Sequence, residues 1–222
     1  MKKTVIFDMD GTLFQTNKIL EASLVDTFDH LARAGKWQGA VPLKEYQNIM
    51  GVPLPKVWET LMPDHSEGDR LETDRYFLES LIANIHGGKG ALYQNVTELF
   101  ERLGAEGCLI YIASNGLKRY LAAIVDHYKL DRWVAGVFSI EEIDSLNKSD
   151  LVGAILAEAG DGPAVMVGDR LSDFNAGRDN NIPSIGCRFD FAREEELACA
   201  DYVIDDLLDV VEIMNKAEYV TE

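Results

Sequence analysis

An α/β fold is predicted: a parallel sheet core with helices on both faces, carrying an inserted α-helical cap. Three observations predict it. The apolar run Thr4-Val-Ile-Phe7 ends in acids and a glycine, Asp8-Met-Asp10-Gly11, and apolar runs bounded by turn residues read as strands buried on both faces. From about residue 91, strand-like runs alternate with helical periodicity, the pattern of βαβ units and a parallel sheet. Between these two regions, from about Thr16 to Ile85, the periodicity is helical only.

In chain order, the first strand is expected over Thr4–Phe7. Helices are then expected over Ile19–Ala34, Leu43–Met50, Pro55–Leu61 and from about Ser66 to Ile85. Pro53, Pro55 and Pro63 punctuate this block, and Gly87, Gly88 and Gly90 close it. A helical insertion after the first strand, with a glycine-rich exit, reads as a lid on two linkers. The alternative is a set of helices packed on one sheet face. The alternation then runs helix Asn95–Ala105, strand Cys108–Ala113, helix Leu117–Tyr128, strand Val137–Ser139, helix Ser149–Ala159, strand Ala164–Val167. A helix near Asp173–Asp179, strands Pro183–Gly186 and Tyr202–Ile204, and a terminal helix complete it. Right-handed crossovers between parallel strands place these helices on both faces.

The 222 residues suffice for one sizeable core, or for a core with a smaller insertion. A formal charge of −17 argues against sequence-independent nucleic-acid binding and against an anionic membrane surface. The 3 cysteines, Cys108, Cys187 and Cys199, are far apart and lack metal-ligand spacing. They predict neither a disulfide framework nor a zinc site, and they suit a reducing, cytoplasmic setting. Cys108 and Cys187 read as buried small hydrophobes. Lys2 and Lys3 precede too short an apolar run for a signal segment, and no stretch approaches a membrane span.

Four strand ends carry the polar groups. Asp8 and Asp10 follow the first strand, and two residues apart they share a face if the strand persists. Acids at such a rim are costly to bury without a counter-ion, which Mg²⁺ with a phosphate would supply. A metal-bound carboxylate can attack phosphorus, and a neighbouring carboxyl can donate and accept the proton. The D-x-D-G run is not an EF-hand loop, because the further loop ligands are missing. Ser114-Asn115-Gly116 closes a strand and opens a helix, suiting an anion cradle or a plain N-cap. Lys148, just ahead of a helix, can neutralise phosphoryl charge and hold the carboxylates together, or be a solvated surface charge. Asp169 directly follows the buried run Val165-Met-Val-Gly168. Asp173 lies four residues later, where a helix N-terminus favours negative charge.

With these residues in that order, the chain resembles the haloacid dehalogenase-like superfamily of phosphohydrolases. The resemblance rests on Asp8-Met-Asp10-Gly-Thr, Ser114-Asn115, Lys148 and Gly168-Asp169-x-x-x-Asp173, and spans nearly the whole chain. It is strongest to the phosphoglycolate phosphatase and β-phosphoglucomutase branch. The resemblance implies a Rossmann-like catalytic core over 1–15 and 91–222, with an α-helical cap over 16–90 that sets substrate specificity. It also implies a Mg²⁺-dependent phosphatase acting on a small phosphorylated metabolite. In it, Asp8 is the nucleophile and a metal ligand, and Asp10 is the general acid/base and a ligand through its carbonyl. Ser114, Asn115, Lys148 and the backbone around Met9 contact phosphate; Asp169 binds the metal and Asp173 supports its shell. Two features depart from the branch: Ser149 follows Lys148 where many relatives have proline, and the mutase cap residues find no match. Gly51-Val52-Pro53 reads as a substrate-facing cap loop or an ordinary turn. A phosphomutase and a non-catalytic regulatory protein are the alternative functions. A dehalogenase is disfavoured, since carbon–halogen cleavage by a carboxylate needs neither the ion nor the proton donor. Monomer and homodimer are both compatible with the sequence.

Overall fold

The computed structural model describes residues 2–49, 52, 54–190 and 192–216. After β1 (Thr4–Phe7) come α1 (Asn17–Arg33), α2 (Leu43–Asn48), α3 (Leu54–Leu61) and α4 (Glu67–His86). The alternation then runs α5 (Val96–Ala105), β2 (Leu109–Ser114), α6 (Lys118–Tyr128), β3 (Gly136–Ser139), α7 (Lys148–Ala159) and β4 (Ala164–Gly168). It closes with α8 (Leu171–Asp179), β5 (Ser184–Cys187), α9 (Glu194–Leu197), β6 (Tyr202–Ile204) and α10 (Asp209–Lys216).

The strands form one parallel sheet in the order β3-β2-β1-β4-β5-β6. β1 holds the centre, and Phe7 pairs with Ile112 on one side and Val167 on the other. The chain builds β2 and β3 on one side of β1, then crosses to β4. The carboxyl ends of β1 and β4 therefore flank the switch point, where open sheets bind ligands. All four β1 residues are buried, because both faces are covered. Val5 and Phe7 join Leu99, Leu121 and Val210 of α5, α6 and α10, whereas Ile6 joins Leu151, Ile155 and Ala176 of α7 and α8. Period-2 alternation thus divides one strand between two layers, and each large apolar side chain so buried stabilises by about 1.5–3 kcal/mol.

Helices α1–α4 form a block beside the carboxyl ends of the strands. Its entry and exit run side by side: Gln15 N–H donates to Ala91 O (2.8 Å) and Tyr93 N–H to Leu13 O (2.9 Å). Inside the block, Trp58 and Tyr46 pack on Phe77 with ring centroids 5.2 and 5.5 Å away. Asn84 Nδ2 donates to Ser23 Oγ (2.8 Å), satisfying polar groups buried between α1 and α4.

The alternation expected from sequence is borne out, with local differences. β1 stops at Phe7, so Asp8 and Asp10 lie on the following turn and not on one strand face. β5 starts at Ser184, not Pro183, since proline has no N–H for the ladder; its carbonyl still accepts from Met166 (2.9 Å). Cys187 is buried, but Cys108 is half-buried just before β2. The short α9 and the 3₁₀ turns at Leu130–Arg132 and Ile140–Glu142 went unpredicted, being too short for periodicity. Of the expected cap loop, Gly51 and Pro53 lie outside the described residues, as does Met50 at the expected end of the second cap helix. Among the described residues, no helix is long and apolar enough to cross a membrane.

Candidate active site

The floor of the site is made by turns that leave adjacent strands. Asp8 follows β1, and its N–H donates to Val167 O (2.8 Å), which fixes the turn against β4. Asp169 follows β4, and Thr12 Oγ1 donates to its Oδ1 (3.3 Å). Between them Gly11 adopts φ +79°, and a Cβ there would lie 2.5 Å from Asp169 Oδ2. Only glycine meets both conditions. Gly11→Ala is expected to cost more than about 1 kcal/mol, read as a lower urea midpoint.

Asp173 Oδ2 accepts from the N–H groups of Asp169 (3.1 Å) and Arg170 (3.0 Å), closing the first turn of α8. Its Oδ1 lies 2.5 Å from Lys148 Nζ, which also donates to Asp8 Oδ1 at 2.5 Å. One ammonium therefore bridges acids from two strand ends. Lys148 and Asp8 are 5% and 6% exposed, so this is a buried network and not a solvated lysine. Lys148 is the first residue of α7 rather than a residue ahead of it. Asn147 caps that helix by accepting from Ser149 N–H (3.0 Å), and Ser149 Oγ donates to Asp179 (2.7 Å). A proline at 149 would supply neither bond, so this chain holds the lysine turn by different means.

Asp8, Asp169 and Asp173 each offer a carboxylate oxygen, all within 4.8 Å of one another. Against these three buried acids stand the charge of Lys148, held between Asp8 and Asp173, and that of Arg170, which is shared with Glu196. Burial pushes the Asp8 carboxyl up to about 7, with Asp173 and Asp10 adding to the rise and Lys148 opposing it. Burial, then Asp8 and Asp173, raise Asp169 well above the carboxylate range. Burial opposes charge on Lys148, but Asp173 and Asp8 overcome it and keep it protonated. The excess negative charge and the all-oxygen donor set fit a hard divalent cation.

A carboxyl raised on folding favours the folded state below its unfolded value, and that contribution is lost as pH rises through the folded value. For Asp8 the window runs from 3.8 up to about 7. Metal-free protein is therefore expected to lose stability across this window. The Asp8→Asn profile should be flatter there, both read by urea unfolding. Mg²⁺ added at pH 8 should raise the melting temperature, and EDTA should reverse the gain.

Asp10 is half-buried at the cavity, and its Oδ1 accepts from Thr16 Oγ1 and Tyr120 OH, each at 2.5 Å. Burial raises its carboxyl despite these bonds, which favour the charged form. A carboxyl held in place with a raised pKa suits proton donation. Ser114 ends β2, and its Oγ accepts from Gly116 N–H (2.9 Å), shaping the turn into α6.

All the sequence-predicted residues except Asp173 line one cavity of about 300 Å³: Asp8, Asp10, Ser114, Asn115, Lys148 and Asp169. Asp173 sits beneath it, fully buried. Sequence reasoning missed Thr16, Tyr120 and Tyr46. Thr16 and Tyr120 reach Asp10 from the first linker and from α6, while Tyr46 reaches the cavity from α2. Tyr120 falls within a turn of the start of α6, the one local hint of its direction.

The model of haloacid dehalogenase-like hydrolases matches residues 5–187. The chain is 24% identical over 205 residues to a 5'-nucleotidase of Pseudomonas aeruginosa, covering 87% of this chain and 86% of that protein. It is 25% identical over 213 residues to a phosphoglycolate phosphatase of Agrobacterium fabrum, covering 90% and 87%. In fold it is similar to CbbY from Rhodobacter sphaeroides in complex with phosphate: TM-score 0.79, 18% identity, covering 95% of this chain and 96% of that one.

Proposed function

Since the chain belongs to the haloacid dehalogenase-like hydrolase family, we propose that it is a Mg²⁺-dependent phosphomonoester hydrolase of a small phosphorylated metabolite, working through an aspartyl-phosphate on Asp8. The observation that carries this reading is the buried cluster of Asp8, Asp169 and Asp173, two of them bridged by Lys148, with Asp10 at the same cavity. The relatives named for phosphatase activity support it.

In this reading Asp8 attacks phosphorus in line while Asp10 protonates the leaving oxygen. Thr16 and Tyr120 hold Asp10 Oδ1, leaving its second oxygen for the proton. Asp10 then takes a proton from the water that hydrolyses the aspartyl-phosphate. Ser114, Asn115 and Lys148 receive the phosphoryl oxygens, and Lys148 keeps Asp8 aligned. Asp8, the Asp10 carbonyl and Asp169 would hold Mg²⁺, with Asp173 in support; the ion supplies neutralisation of phosphoryl charge. Residues 16–90 act as a cap over a core of 1–15 and 91–222, excluding bulk water. The free cysteines suit a cytoplasmic setting.

A phosphate-release screen over metabolite monoesters, with Mg²⁺ and with EDTA, tests this. Release that requires the ion is expected. No release from any ester by metal-loaded protein would sink the reading, and isomerisation of a phosphosugar would replace hydrolase by mutase.

A further inference from the structure

The floor and the walls of the cavity differ in chemistry. The floor is polar, with Asp8, Asp10, Ser114 and Lys148, whereas the walls include Leu20, Leu78 and Leu81 from the helical block and Leu117 and Ile140 from the core. Leu20, Leu78 and Leu81 are at most 9% exposed, so they are firmly packed surfaces and not mobile side chains awaiting a ligand.

Charge sharpens the contrast. Among the described lining residues the cations are Lys148 and Arg170. Lys148 is held by Asp8 and Asp173, and Arg170 is paired with Glu196 at 3.0 Å, both toward the floor. Among the described lining residues Glu141 adds a further negative charge. Nearby Lys118 and Arg119 are turned to Glu142 (3.7 Å) and Glu79 (2.7 Å). A carboxylate or second phosphate on the leaving group would be desolvated among leucines beside Glu141 and Asp10, where the lining cations Lys148 and Arg170 are already engaged by Asp8, Asp173 and Glu196. A polyhydroxylated sugar would lay those of its hydroxyls that meet the leucines against surfaces offering no hydrogen bond.

Tyr46 is one polar group among the apolar side chains that the helical block contributes. Its ring is fixed on Phe77 and Trp58, it is 8% exposed, and it lines the cavity. Its pKa is raised by burial and then by the charge of Asp10, so it stays a protonated donor close to the proposed acid.

We propose that this site selects phosphomonoesters whose leaving group is an uncharged, apolar aryl or alkyl body bearing one hydrogen-bond acceptor for Tyr46, and rejects those with a second anionic group. This rests on the hydrolase reading above and names its substrate class. A cavity of about 300 Å³ matches a ring-sized body, at the small end of ligand pockets.

The test uses full-length protein with Mg²⁺. Phenyl phosphate is compared with 3-carboxyphenyl phosphate, and hexyl phosphate with ethyl phosphate, as kcat/KM. Phenyl over carboxyphenyl by about tenfold or more is expected, the scale on which an apolar pocket discriminates a mismatched group. Hexyl should exceed ethyl, and Leu81→Lys should narrow the gap between the two aryl esters. Tyr46→Phe should lower kcat/KM for 3-methoxyphenyl phosphate more than for phenyl phosphate. Equal or better turnover of the carboxylated ester, of phosphoglycolate or of pyrophosphate overturns the substrate class while leaving the hydrolase reading intact. Calorimetric binding of phenylphosphonate against 3-phosphonobenzoate judges the same selectivity without turnover. If no ester is hydrolysed, tighter binding of phenylphosphonate supports the pocket's selectivity, and equal binding overturns it.

Discussion

Asp8→Asn is expected to lower turnover of a generic aryl phosphate by about 10⁴-fold or more, the scale seen when a catalytic nucleophile is removed. Asparagine has the shape of aspartate but no negative oxygen with which to attack phosphorus. The same change relieves repulsion among the clustered acids, because Asp8 stands close to Asp169 and Asp173 and shares the Lys148 ammonium with Asp173. Metal-free Asp8→Asn should therefore be at least as stable as the parent at pH 8. Activity and stability are expected to move in opposite directions, which a structural role for Asp8 would not produce. Turnover within about tenfold of the parent, measured with Mg²⁺ present, would remove Asp8 from the mechanism.

Lys148→Met is expected to have the largest effect on folding. Methionine fills similar space but leaves Asp8 and Asp173 facing each other without the shared ammonium. Removing one partner of a buried charge network costs about 3–5 kcal/mol. The loss should be greatest at pH 8 and smaller below about pH 7, where Asp8 takes up a proton. Turnover should fall by about 10²–10³-fold, the scale of losing one charge-stabilising donor. Urea unfolding at two pH values and phosphate release measure the two arms. A variant as stable as the parent at pH 8 without metal would show that Lys148 does not hold the acids together.

The way these effects cluster explains how much of the site was legible from residues alone. Asp8 and Asp169 directly follow buried apolar runs, and an acid in that place needs a reason. Lys148 and Ser114 carried little local signal; each matches a common cap or surface residue until its strand neighbours are known. Asp173 satisfies two expectations at once, capping the first turn of α8 through Oδ2 and meeting Lys148 through Oδ1. Tyr120, Thr16 and Tyr46 were out of reach of pattern reading, since an aromatic on α6 or α2 is ordinarily core. Only packing turns their hydroxyls toward Asp10 or the cavity.

By itself, the residue pattern determined the layers of this protein. Apolar runs with period 2 and helices with period 3.6 leave little choice but a parallel sheet covered on both faces, with a helical insertion between β1 and α5. These are local properties, set by spacing within one segment. Tertiary structure alone decided the partnership of Lys148 with two acids, the seating of Asp10 between Thr16 and Tyr120, and the apolar walls above them. Each depends on distances between segments far apart in the chain, as with the 140 residues separating Asp8 from Lys148. Such distances are settled by the sheet order and by how the helical block leans on the core, which no single stretch of sequence encodes.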